Sequence, residues 1–195
     1  SLSEYVDSSL LASVKQNWKE GKWPLGCERC KIEESNGIAS KRQLDSDRWS
    51  KYYAQYDTNA DKEFITASIA FGNTCNLKCI TCTPWSSSKW YQEYSDVYKV
   101  NVKPVKFYKK NFVEEFLDNT SKLIHLDIPG GEPFLSGVAE QKQMLELYIR
   151  SGQAGSISLH YTTNATLFPD QTWWNLWKHF KEIDLQLSID GVGQR

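Results

Sequence analysis

The sequence predicts an α/β fold over residues 64–195, a parallel sheet wound into a partial (β/α) barrel, with a small helical, cysteine-bearing segment ahead of it. Three observations carry that expectation. Strand-like and helix-like stretches alternate after Phe64, and strands separated by helices pair in parallel through right-handed crossovers. Each strand-like stretch is apolar on one face and polar on the other, at the period of two that strand side chains follow. Every loop of unusual chemistry follows the end of a strand, where ligand sites of parallel α/β proteins sit.

In residues 1–45, Val6, Leu10, Leu11, Val14 and Trp18 recur at helical spacing. They predict one amphipathic helix over Glu4 to Trp18, closed by Gly21 and Pro24. The run Gly26-Cys27-Glu28-Arg29-Cys30 follows. A C-x2-C pair is half of a four-thiolate site for zinc or for an iron–sulfur cluster, or else two unliganded thiols. Residues 46–63, polar and rich in Asp, Ser and Tyr, read as a linker.

Strands are expected at Phe64 to Phe71, Leu123 to Ile128, Ser156 to Thr163 and Asp184 to Asp190. Helical composition covers Ser86 to Val100, Asn111 to Asn119, Val138 to Arg150 and the Trp-rich Asp170 to Ile183. By parity, Ile65, Ala67, Ile69 and Phe71 oppose Thr66, Ser68 and Ala70. Ile124, Leu126 and Ile128 oppose His125 and Asp127. Ile157, Leu159 and Tyr161 oppose Ser158, His160, Thr162 and Asn164, and Leu185, Leu187 and Ile189 oppose Gln186, Ser188 and Asp190. The apolar face meets helices. The polar face is expected to line an interior, because a protein buries polar groups only where something satisfies them. The competing arrangement is a doubly wound open sheet whose polar face is half exposed. Trp173, Trp174 and Trp177 are read as exterior packing. The chain begins at Ser1 without a methionine and ends at Arg195 soon after a strand, so a fragment of a longer protein, cut after its fourth strand, is expected.

A formal net charge of −1 gives no pointer to nucleic acid. Lys103, Lys106, Lys109 and Lys110, interleaved with Phe107 and Tyr108, read as a solvated face ahead of an RNA or acidic-peptide surface. No apolar run approaches the ~20 residues that span a bilayer. The five cysteines fall in two tight groups, which suits metal sites in a reducing compartment better than disulfides, and a cytoplasmic location is expected. The Asn-x-Ser/Thr matches at Asn119 and Asn164 are accordingly taken as chance.

The second cysteine group is Cys75-Asn76-Leu77-Lys78-Cys79-Ile80-Thr81-Cys82. A loop can aim three thiols spaced C-x3-C-x2-C at one point, which a helix or strand cannot. Thiolates hold iron–sulfur clusters, usually four to a cluster, so three leave one iron open. This loop resembles the signature loop of the radical SAM enzymes. The resemblance implies a 4Fe-4S cluster on Cys75, Cys79 and Cys82 whose fourth iron is chelated by S-adenosylmethionine. Thr81 departs from the aromatic residue the family often carries before its last cysteine.

The same resemblance extends to Gly130-Gly131-Glu132-Pro133, which is similar to the family's GGEP motif and implies contact with the methionyl amine. On physical grounds paired glycines admit a close backbone approach, and Glu132 can accept from an ammonium. Asn164, Ser188 and Asp190 match positions that bind the ribose or carboxylate. Their plainer reading is strand-end caps and an Asp-Gly turn. His125 and His160 face the expected interior, as substrate contacts or as satisfied interior histidines, and His179 is expected at the surface.

Gly21 to Arg42, with Glu33, Gly37, Ser40 and Arg42 after the C-x2-C pair, resembles the end of a twitch or SPASM-type auxiliary-cluster module. That implies a second iron–sulfur cluster at Cys27 and Cys30, and with it a peptide or protein substrate. The expected function is a radical SAM enzyme that uses a reductase, flavodoxin or ferredoxin as electron donor. The rivals are a zinc-binding interaction domain, completing a tetrahedral site from both cysteine groups, and an iron–sulfur electron carrier.

Overall fold

A computed structural model of the chain describes residues 2–53, 64–102 and 111–189. The chain divides into two compact units, Ser1–Glu63 and Phe64–Arg195.

Among its described residues the first unit holds four helices, α1 (Leu2–Val6), α2 (Ser9–Lys19), α3 (Glu28–Ser35) and α4 (Lys41–Tyr53). The single helix expected over Glu4 to Trp18 is broken, because the Ser8 hydroxyl accepts the Leu11 N–H at 3.2 Å and starts α2 afresh. Serine competes with the helix by bonding nearby backbone, which makes it a cap. The stretch read as a linker from residue 46 is also corrected, since α4 runs to Tyr53. Its start is a reciprocal capping box, in which Gln43 N–H donates to Ser40 Oγ and Ser40 N–H to Gln43 Oε1, both at 3.2 Å. The helix has no apolar stripe, so periodicity alone did not reveal it.

The unit is cross-braced by charge and rings more than by a core. Arg42 donates to Glu34 through Nε at 2.9 Å and through its terminal nitrogen at 2.5 Å, and Ser40 Oγ donates to Glu34 Oε1 at 2.6 Å. The Arg42 guanidinium lies 5.4 Å from the rings of both Trp18 and Trp23. Hydrogen bonding from Arg42, then from Ser40, holds the Glu34 carboxyl below its ordinary pKa.

The second unit is a mixed α/β layer built on a four-stranded, wholly parallel sheet in the order β1 (Thr66–Ser68), β2 (His125–Ile128), β3 (Ser158–Thr163), β4 (Glu182–Leu187). A 3-10 turn (Ser88–Trp90), α5 (Tyr91–Tyr98) and α6 (Phe112–Asp118) lie between β1 and β2. Helix α7 (Val138–Arg150) joins β2 to β3 and α8 (Gln171–Trp177) joins β3 to β4. Sequential order with right-handed crossovers puts the connecting helices on one face. A doubly wound sheet needs the winding to reverse, and these four strands contain no reversal.

The apolar face is the core. Leu126, Ile128, Leu159 and Tyr161 are fully buried with Met144, Leu145 and Tyr148 of α7, and Val113 and Phe116 of α6 and Trp173 and Trp177 of α8 complete it. Phe134, Tyr161, Trp173 and Trp177 pack ring to ring at 5.3–6.2 Å. Helix α8 is shorter and β4 earlier than expected. Asp170 caps α8 through Thr172 N–H at 2.9 Å, and Lys181 N–H already pairs with Ile157 O at 3.0 Å, so Glu182 and Ile183 are strand.

The opposite face carries the predicted polar residues, and it is half-exposed to exposed across the sheet. The enclosed interior expected for it is not formed among the described residues. Four strands make a wall, and closing a barrel needs more strands to complete the circumference.

Candidate functional site

The candidate site sits at the carboxyl ends of the strands. Register places Ser68, Asp127, His160 and Asp184 in one row across the polar face. Ser68 Oγ donates to Asp127 Oδ2 at 2.8 Å, and His160 meets Asp184 Oδ2 at 2.7 Å through Nδ1 and Gln186 Oε1 at 3.3 Å through Nε2. The His125 and His160 rings lie 6.2 Å apart on this face, as parity predicted. Asp127 Oδ1 is buried without a hydrogen-bond partner among the described residues. Two residues further along the strands this row gives way to a cavity.

That cavity, of about 260 Å³, is lined by Cys75, Leu77, Cys79, Cys82, Ser86, Pro129, Gly130, Gly131, Thr162, Thr163, Asn164 and Ser188. All three clustered thiols therefore share one wall system with four of the residues singled out for cofactor contact. Cys75 is buried, Cys79 and Cys82 are half-buried, and no disulfide joins any of the five cysteines. Among the described residues no three His, Cys, Asp or Glu side chains are gathered tightly enough to hold a metal ion as they stand.

Local chemistry explains how the loop is held. Asn73, buried just before it, donates to Pro84 O at 2.7 Å and to Tyr91 Oη at 2.5 Å, and its carbonyl accepts Ser88 N–H at 2.8 Å. Ser87 Oγ, also buried, donates to Leu77 O at 2.7 Å, and Trp90 Nε1 donates to Cys79 O at 3.0 Å. Cys82 N–H closes a turn on Cys79 O at 3.0 Å. The segment 84–91 thus braces the loop carbonyls and leaves the sulfurs toward the cavity. Composition suggested helix from Ser86. The regular helix starts only at Tyr91, because Ser87 and Ser88 spend their groups on the loop. Asn73, Ser87 and Trp90 were not singled out from sequence, and the Ser86–Ser88 run, a cap signal, was their one trace.

The paired glycines admit a close backbone approach within the protein itself. A Cβ on Gly131 would stand 2.2 Å from Thr74 O, and one on Gly130, whose φ is +108°, would stand 2.7 Å from Gly72 O. The close approach is to the start of the cysteine loop, sealed by Glu132 N–H donating to Thr74 O at 2.9 Å. Glu132 itself is not in the cavity wall. Fully buried, its carboxylate accepts Thr163 Oγ1 at 2.8 Å, Asn164 N–H at 2.9 Å and Phe134 N–H at 3.3 Å. A buried carboxylate needs such donors, and with three of them it has little left for a ligand ammonium. Pro133 is buried, its carbonyl accepting Gln141 Nε2 at 2.7 Å.

Asn164 and Ser188 line the cavity, and Ser188 N–H extends the β3–β4 ladder onto Thr163 O at 2.8 Å. Asp190 and Lys103 to Lys110 lie outside the described residues. Cys27 and Cys30 belong to the first unit, Cys27 at the start of α3 and Cys30 inside it, both half-buried. Glu33 pairs with Arg29 at 2.9 Å, and Ser40 and Arg42 both bind the neighbouring Glu34.

The donor set suits an iron–sulfur cluster held by three thiolates. Among the described residues the cavity lining comprises three thiols and no carboxylate, together with glycine backbone at positions where any larger residue would collide. No helix among the described residues is long and apolar enough to cross a membrane. Comparison of the chain with protein-family models, with curated proteins and with solved structures found no match.

Proposed function

We propose that this chain is a radical SAM enzyme, with Cys75, Cys79 and Cys82 as the ligands of a 4Fe-4S cluster and the backbone of Gly130 and Gly131 beside the S-adenosylmethionine it binds. The observation that carries the reading is the single cavity shared by those three thiols, the paired glycines, Asn164 and Ser188. Held by Cys75, Cys79 and Cys82, such a cluster would supply one-electron reductive cleavage of the bound S-adenosylmethionine and so the means of hydrogen-atom abstraction from substrate. The protein's share is to bind, orient and exclude water.

In this reading the four strands are part of a partial (β/α) barrel wall, and the row Ser68, Asp127, His160 and Asp184 is its inner face. Substrate lies along that face, where Ser68 and Asp184 are the solvent-exposed members of the row. Asp190 belongs to the same set of cofactor contacts by its position in the motif. Cys27 and Cys30 supply two thiolates toward an auxiliary cluster, and with it a peptide or protein substrate. A reductase, flavodoxin or ferredoxin supplies the electron, in a reducing compartment such as the cytoplasm.

Anaerobic reconstitution with iron and sulfide tests this. The expected product is a brown protein that, once reduced, converts S-adenosylmethionine to methionine and 5′-deoxyadenosine. A colourless protein with stoichiometric zinc overturns the reading in favour of a zinc-binding domain, and a stable cluster without cleavage overturns it in favour of an electron carrier.

A further inference from the structure

We propose that Asn164 is a positioning residue of the cysteine site, donating its side-chain amide to the Cys75 sulfur and raising the reduction potential of the cluster held there. This rests on the radical SAM reading above and departs from the nucleoside contact that the motif position implies.

The orientation of the amide is dictated by its neighbours. Its Oδ1 accepts Thr166 N–H at 3.0 Å and Thr166 Oγ1 at 2.6 Å, so the oxygen end faces two donors. The Nδ2 end then points to Asn76 Oδ1 at 3.0 Å and to Cys75 Sγ at 3.7 Å. An asparagine amide has two lone pairs and two hydrogens, and here all four are used by the protein's own groups. Asn76 Nδ2 donates back to Thr166 Oγ1 at 2.7 Å, closing a ring of three side chains. The backbone of Asn164 is pinned separately, by its N–H on the buried Glu132 carboxylate at 2.9 Å. A side chain so committed at both ends is poorly placed to recognise a ribose.

Two donors reach the Cys75 sulfur. It is the buried member of the trio, 8 % exposed, and it accepts Leu77 N–H at 3.4 Å as well as the Asn164 amide. A hydrogen bond to a ligand sulfur favours the reduced, more negative cluster and so raises its potential. The carboxyl end of β3 thereby tunes a ligand on the loop after β1, through a ring that also fixes where that sulfur sits.

The test is an EPR-monitored redox titration of the reconstituted protein and of Asn164→Leu and Asn164→Asp, with iron content and S-adenosylmethionine affinity measured alongside. Both variants should retain wild-type iron, because all three cysteines are intact. Their midpoint potentials should move negative, further for Asn164→Asp, which puts a carboxylate against the sulfur, and cofactor affinity should stay near wild type. An unchanged potential overturns the proposal. Combined with binding weakened about tenfold or more, it returns Asn164 to the nucleoside. The near-isosteric Asn164→Asp keeps the test decisive where the leucine variant fails to fold. Wild-type protein that forms no cluster sinks the parent reading itself, a result distinguishable from a cluster whose potential ignores Asn164.

Discussion

Glu132 Oε2 accepts the backbone N–H of Asn164 at 2.9 Å from a position with no solvent exposure, clipping the loop after β2 to the end of β3. The bond aligns two walls of the cavity, and Oε1 adds Thr163 and Phe134 to the same anchor. Glu132→Ala strands three donors at once, at an expected cost on the order of 3 kcal/mol. Glu132→Gln retains one acceptor oxygen and should lose less. Urea denaturation followed by tryptophan fluorescence measures both, and a loss under about 1 kcal/mol for the alanine variant contradicts a structural anchor.

Gly131→Ala puts a methyl 2.2 Å from the Thr74 carbonyl, and that oxygen is backbone, which cannot swing aside. The expected outcome is a displaced cysteine loop, a stability loss of about 1–3 kcal/mol and reduced iron uptake on reconstitution. Wild-type iron uptake by this variant contradicts the idea that the glycine pair sets the loop position.

Cys79→Ala should abolish the iron held by the second unit, while Cys27→Ala and Cys30→Ala leave it in place, since the two groups sit in separate compact units. Iron and sulfide analysis of each variant reads this directly. Loss of all metal in Cys27→Ala favours the shared zinc site instead.

Tyr148 is buried against α6, its hydroxyl sharing a hydrogen bond of 2.6 Å with Thr120 Oγ1, which lies 2.7 Å from Phe116 O. Burial raises its pKa from 10.0 to about 12, with the Thr120 bond opposing in part. A folded-state value above the unfolded one means stability present below pH 10 and lost as pH climbs toward 12. Thermal unfolding at rising pH should show that loss, and Tyr148→Phe should blunt it. An unaltered alkaline profile in Tyr148→Phe assigns the loss elsewhere.

Leu126 on β2 is fully buried and Leu187 on β4 is 52 % exposed, though both lie on the apolar side by parity. Leu126→Ala should cost about 2–5 kcal/mol through lost burial and the cavity left behind. Leu187→Ala should fall within about 0.5 kcal/mol, as exposed positions do. Equal losses in denaturant midpoint contradict the assignment of the core to the centre of the sheet.

Periodicity alone determined the alternation of strands and helices in the second unit, the face each strand buries, and the convergence of the C-x3-C-x2-C loop, the glycine pair, Asn164 and Ser188 at one end of the sheet. These are local properties, because parity follows from neighbouring residues and a loop after a strand lies at its end. Only the tertiary structure decided what the polar side chains bond to. Glu132 turned inward as an anchor, Asn164 onto Cys75, and Glu34 onto Ser40 and Arg42. Helix α4 and the break at Ser8 likewise depended on which of several nearby groups a serine hydroxyl finds. A hydrogen bond is settled by position in space, and donor and acceptor meet here across as many as 90 residues of chain.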